Sequence, residues 1–225
     1  MDSDERYKSN VAFIDLLFNV LIGFVYLFIL AFIMINPIAK KGDIVVPAEF
    51  IIILTWPDEL GDDIDLWVKD QNENLVGFNR KDAGIMYLDR DDLGWMNDKS
   101  TIDGEEITIR LNREVVTIRG KAPNQYKISV HFYRKITPDD SNALNLPSMN
   151  NIPITVTVTK LNPYSEVYKQ TLIISDQGEI KNFRSFTVDN NNNVIYIQEG
   201  IESIIPLSQI APPSFSSNDH LNKGK

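Results

Sequence analysis

Two groups of side chains in this 225-residue chain have types and spacings suited to chemistry. The first is a single carboxylate, Asp15, set in a run from Val11 to Ile35 that is otherwise almost wholly apolar. A charged acid at the centre of a bilayer costs about 2.5–3.5 kcal/mol on insertion scales, so a plain anchor has no reason to carry one. At about 100° per residue, Asn19 falls about 40° around a helix from Asp15, and Tyr26 about 20°. The three make a polar line down one helix face, bordered by Gly23.

The second group is acidic and lies further along the chain. Asp62-Asp63-Ile64-Asp65 leads into Leu66-Trp67-Val68, and Leu88-Asp89-Arg90-Asp91-Asp92-Leu93-Gly94 follows about twenty residues later. Alternation puts Asp63 and Asp65 on one face of a strand start, while Asp89, Asp91 and Asp92 fall at a strand end and turn. Several carboxylates at neighbouring loop tips suit Ca2+, which takes about 6–8 oxygen ligands. The competing reading is that these acids cap turns and solvate loops, with Arg90 neutralising its neighbours. His131 lies within a strand pattern and reads as a satisfied core or surface residue. Trp56, Trp67 and Trp95 gather around the acidic loops, as core or loop anchors or, more sharply, as a ligand-stacking surface.

These groups need a helix and a sheet to hold them. Val11 to Ile35 is about 25 residues, or roughly 37 Å as a helix, and a bilayer core of about 30 Å needs about 20. A cleaved signal has a shorter apolar run of about 7–15 residues and a small-residue cleavage site, which Asn36-Pro37-Ile38-Ala39 is not. An uncleaved anchor is expected, capped near Ser9 or Asn10 and ended near Asn36 by Pro37. If the helix began only at Leu16, Asp15 would instead be an interfacial cap. Lys and Arg are nearly balanced across the span, so charge does not orient it.

Beyond the span, short alternating runs separated by turn signals predict an antiparallel β-sandwich. The expected strands are Glu49–Trp56, Ile64–Lys69, Leu75–Phe78, Glu106–Leu111, Val115–Arg119, Tyr126–Tyr133, Ile154–Leu161, Val167–Ile174, Phe183–Val188 and Val194–Ile197. The predicted organisation is a polar arm 1–10, a transmembrane helix 11–36, a linker 37–48, an all-β domain 49–206 and a disordered tail 207–225. Residues 138–151 are expected to form an exposed loop.

Composition narrows the function. A net charge of −9 leaves no basic face for nucleic acid. The absence of cysteine removes disulfides, thiolate metal sites and a thiol nucleophile. No phosphate-cradling glycine loop and no catalytic constellation is visible, so an enzyme is not expected.

The run Phe13-Ile14-Asp15-Leu16-Leu17-Phe18-Asn19-Val20-Leu21 resembles the single helix of the ExbD/TolR/MotB family. The family's usual proline before the acid is missing. The resemblance implies the minor subunit of an ion-driven motor in a bacterial inner membrane. Its aspartate, here Asp15, binds and releases H+ or Na+; Asn19 and Tyr26, on the same helix face, are the supporting polar residues read from the spacing. It further implies a cytoplasmic N-terminus, a periplasmic C-terminal domain, and a homodimer inside a ring of polytopic MotA/TolQ/ExbB-like subunits. The periplasmic domains of that family are α/β, so the expected β-domain is an exchanged output module with an unknown periplasmic or envelope target.

Residues Phe50 to Arg134, with Asp63-Ile64-Asp65-Leu66, Leu88-Asp89-Arg90-Asp91 and Tyr126 to Tyr133, resemble a YfaP-like secreted β-sandwich domain of unassigned function. The acidic pattern is also similar, more loosely, to the Ca2+-binding TerD fold. A second reading follows: a membrane-tethered periplasmic module that binds a ligand or Ca2+ through Asp63, Asp65, Asp89, Asp91 and Asp92, without ion transport.

Overall fold

The computed structural model describes residues 3–35, 46–136, 146–206 and 208. It contains a helical unit and, from Val46 onward, a compact β unit.

The helix α1 runs unbroken from Ser3 to Ile35. It starts earlier than expected: Ser9 and Asn10 lie inside it, and the polar arm is helical from Ser3. No proline or glycine interrupts the sequence before Gly23. Asp15 is therefore an interior helical residue and not a cap, which removes the reading in which the helix began at Leu16. The last helical residue, Ile35, precedes Asn36-Pro37, where a proline restricts the residue before it. Val11–Phe32, 22 residues, is long and apolar enough to cross a membrane.

The β unit is two antiparallel sheets packed face to face. The first contains β1 (Ala48–Thr55), β4 (Asp82–Ala83), β5 (Met86–Arg90), β8 (Arg113–Arg119), β10 (Ile152–Leu161) and β11 (Tyr164–Ile174), in the order β11-β10-β1-β8-β5-β4. The second contains β2 (Asp63–Asp70), β3 (Leu75–Val76), β9 (Asn124–Arg134), β12 (Ile180–Val188) and β13 (Val194–Gln198), in the order β13-β12-β9-β2-β3. A separate hairpin pairs β6 (Lys99–Ile102) with β7 (Glu105–Thr108).

Period-two patterning fills the space between the sheets. Phe50, Ile52 and Leu54 on β1 share the core with Ile154, Val156 and Val158 on β10, and from the other sheet with Leu66, Val130 and Phe186. Each such side chain contributes about 1.5–3 kcal/mol relative to exposure. A smaller cluster covers Trp67 with Ile204 and Ile205.

Several expected boundaries move. Ala48 belongs to β1 and not to the linker, and 36–45 lie outside the described residues, as does the tail from 209. The expected loop is described only at its end, 146–151, where Leu146 is half-buried and 147–151 are exposed. The expected strand Glu106–Leu111 is the shorter β7, because its partner β6 ends the ladder at Lys99. Strands β4, β5 and β6 were not anticipated.

Two hairpin loops share one device. In Asp70-Gln71-Asn72-Glu73-Asn74, Asp70 Oδ1 accepts the amides of Asn72 and Asn74, and Oδ2 accepts the Asn74 side-chain amide. Asp189 does the same with Asn191 and Asn193. These aspartates spend their oxygens on the turn, as turn-forming acids do.

Candidate functional site

In the helical unit, Asp15, Asn19 and Tyr26 lie within one unbroken helix, so the 3.6-residue period puts them on one face. Asp15 is four residues beyond Val11, or about 6 Å inside the apolar stretch at 1.5 Å per residue. Its backbone is committed to the helix, and its side chain is exposed on that helix.

In the β unit, the site is built on an uncovered strand edge. The two-residue β3 pairs only with Val68 and Lys69 of β2, so the edge of β2 from Asp63 to Leu66 has no strand beside it among the described residues. Glu114 at the start of β8 fills part of that gap: its Oε2 accepts the Leu66 amide at 2.5 Å, and its Oε1 accepts the Asp92 amide at 3.4 Å. The loop after β5 brings Asp91 to the same place. One carboxylate oxygen from each of Asp65, Asp91 and Glu114 lies within 4.8 Å of the others. Asp63 stands beside them with Arg134 Nη2 3.9 Å from its Oδ2. On β9, His131 is the direct cross-strand partner of Asp65, and its Nδ1 is 3.5 Å from Asp65 Oδ2, long for a hydrogen bond.

The electrostatics follow from burial. Glu114 is 1% exposed and Asp65 2%. Burial first, and then the charges of Asp65, Asp91 and Asp92, push the Asp63 carboxyl up to about 8, against the opposing pull of Arg134. Burial raises Asp65, with His131 opposing. Burial and the charge of Asp65 raise Glu114 well above the ordinary glutamate value, although the Leu66 amide pulls it down.

The structure redistributes the five aspartates expected to act together. Asp63, Asp65 and Asp91 do converge. Asp89 does not: a bulge at this residue turns it away, and its oxygens take Thr117 Oγ1 at 2.5 Å and Arg119 Nη2 at 2.6 Å. Asp92 is nearby but consumed. Its Oδ1 accepts the Gly94 amide, and its Oδ2 accepts the Arg113 amide and the Arg90 guanidinium, each at 3.1 Å. Arg90 thus neutralises Asp92 and leaves Asp91 alone. Asp62 is also spent, on the Ile136 amide at 2.9 Å.

Glu114 and His131 are the members that sequence reasoning left out. Glu114 shares a face with Val116 and Ile118, so an acid on the apolar face of β8 was the available signal. His131 is buried, one of the two placements expected of it, but it is not satisfied: neither ring nitrogen has a hydrogen-bond partner. Trp56 and Trp67 are buried core residues and not a stacking surface, while Trp95 is half-buried on the 3-10 turn Gly94–Asn97.

No family model matches this sequence, and no curated protein matches it. Among solved structures, the protein titled "Crystal structure of unknown function protein SAV2460" is similar at a TM-score of 0.39 and 12% identity, over 69% of this chain and 91% of that one. At that TM-score the likeness bears no weight for either fold or function.

Proposed function

We propose that this chain is the minor subunit of an ion-driven motor in a bacterial inner membrane, with Asp15 binding and releasing H+ or Na+. The observation that carries the reading is an ionisable carboxyl held inside a single apolar helix of membrane-spanning length, in line with Asn19 and Tyr26. An acid in hydrocarbon is expensive, faces a protein or water-filled interior, and marks an ion pathway. A lone helix offers it no interior, so the partner must: polytopic subunits of the MotA/TolQ/ExbB kind around a homodimer of this chain. The β unit, on the periplasmic side, then couples the motor to an envelope target.

The test is Asp15→Asn, with membrane abundance and partner co-purification measured beside output. Asparagine keeps the shape and hydrogen bonding but exchanges no proton and carries no charge. Lost output with intact assembly supports the reading. Retained output removes it and leaves a membrane-tethered β-domain without ion transport.

A further inference from the structure

We propose that Asp65, Asp91 and Glu114, with Asp63 beside them, bind one hard divalent cation of the Ca2+ class that fastens the open edge of β2 to the opposite sheet. This does not depend on the motor reading, since the β unit carries it alone.

The spacing fits. Oxygens mutually within 4.8 Å surround a Ca2+ at its usual Ca–O distance of about 2.3–2.6 Å, where opposite ligands stand about 5 Å apart. Mg2+ holds its ligands at about 2.0–2.1 Å and would draw them closer. The donors are carboxylates, cysteine is absent, and the nearby imidazole belongs to a single histidine, which argues against a soft metal.

The second observation is the state of the individual oxygens. Asp70 and Asp92 give both oxygens to donors, and Glu114 gives each of its oxygens to one backbone amide. In the cluster, Asp63 Oδ1, Asp65 Oδ2 and Asp91 Oδ1 are buried and have no hydrogen-bond partner. Native structures leave few such atoms, and three in one place call for an occupant. The neighbouring cations hold the outer oxygens: Lys81 takes Asp91 Oδ2 at 3.0 Å, and Arg134 stands by Asp63 Oδ2. Asp65 Oδ2 has His131 Nδ1 beside it at 3.5 Å, beyond good hydrogen-bond distance, and Asp63 Oδ1 and Asp91 Oδ1 have no donor. Asp91, half-buried at the rim, gives an ion a way in.

The experiment uses the full chain in detergent, stripped by chelator and titrated with CaCl2 or MgCl2. Binding is read by calorimetry and unfolding by tryptophan fluorescence, since all three tryptophans lie in the β unit. The expected result is one Ca2+ per chain and a rise of about 5 °C or more in the unfolding midpoint at saturating ion. Asp91→Asn weakens binding about tenfold or more, whereas Asp89→Asn, whose carboxyl is held by Arg119 and Thr117, binds as the parent does. If Asp91→Asn fails to fold, Asp63→Asn is read in its place. Absence of binding and of any shift with millimolar Ca2+ or Mg2+ overturns the proposal, and so does undiminished binding in Asp91→Asn. Stabilisation by acid with none by either ion means a cluster that shares protons only, and also overturns it.

Discussion

Without a cation, the buried acids should make the β unit more stable as pH falls from 7 to 5, the reverse of ordinary acid denaturation. Asp63 faces Asp65, Asp91, Asp92 and Arg134, and its carboxyl sits at about 8 in the fold against a usual 3.8. Between those values the folded chain holds a proton that the unfolded chain has released. Stability therefore falls as pH rises through this window, by about 1.4 kcal/mol per unit for this one group. From pH 5 to pH 7 Asp63 alone removes about 2.7 kcal/mol, or about 5–10 °C in midpoint for a domain of this size. Asp65 and Glu114, also raised, act with the same sign. At the acid end another group takes over. Burial pushes Glu179 up, but Lys181 and the amides of Ser175 and Asp176 outweigh it and hold this acid below its usual 4.5. The stability it contributes is lost as pH falls through its folded value, which opposes the gain from the buried acids at the acid end. The assay is urea unfolding followed by tryptophan fluorescence at pH 5, 6 and 7, in chelator, for the parent chain and Asp63→Asn. The variant should flatten the slope by about 1.4 kcal/mol per pH unit. A chelated parent equally stable at pH 5 and 7, or less stable at pH 5, refutes the reasoning.

The two aspartate turns should differ in cost when removed. Asp70→Ala strands the amides of Asn72 and Asn74 and a buried side-chain amide of Asn124, and should lower stability by about 2–3 kcal/mol in denaturant unfolding. Asp189→Ala, in the more exposed copy, should lower it by visibly less. Gly94→Ala should lose more than about 2 kcal/mol. Gly94 has φ +62°, and a Cβ there meets Gly61 O at 2.3 Å.

The parts of this molecule that were legible in the sequence are those where one physical demand dominates. An apolar run with one acid allows little except a long helix, and Ile154-Thr155-Val156-Thr157-Val158 alternates because one face is core and the other is not. The start of α1 was misjudged because polar residues with good helix propensity extend a helix without any apolar signal. Strands β4 and β5 escaped because they are short, and their ladders are set by partners rather than by their own pattern, β5 pairing with β8 and β4 with β5. The acidic site was half legible. Asp63, Asp65 and Asp91 could be proposed from spacing, but a regular strand would have put Asp89 and Asp91 on one face. The bulge between Leu88 and Arg90 separates them. Glu114 reaches the site from the other sheet, and no local pattern carries that approach.

The strand that follows the helix and linker is β1, and it is an interior strand, with six register pairs to β10 on one side and seven to β8 on the other. A tension drawn along β1 from its Ala48 end would load both ladders at once, in shear along their length. An edge strand in that position would peel open one hydrogen bond at a time. The chain thus meets its folded domain at a point where force is shared over two rows of backbone hydrogen bonds, an attachment suited to bearing a pull.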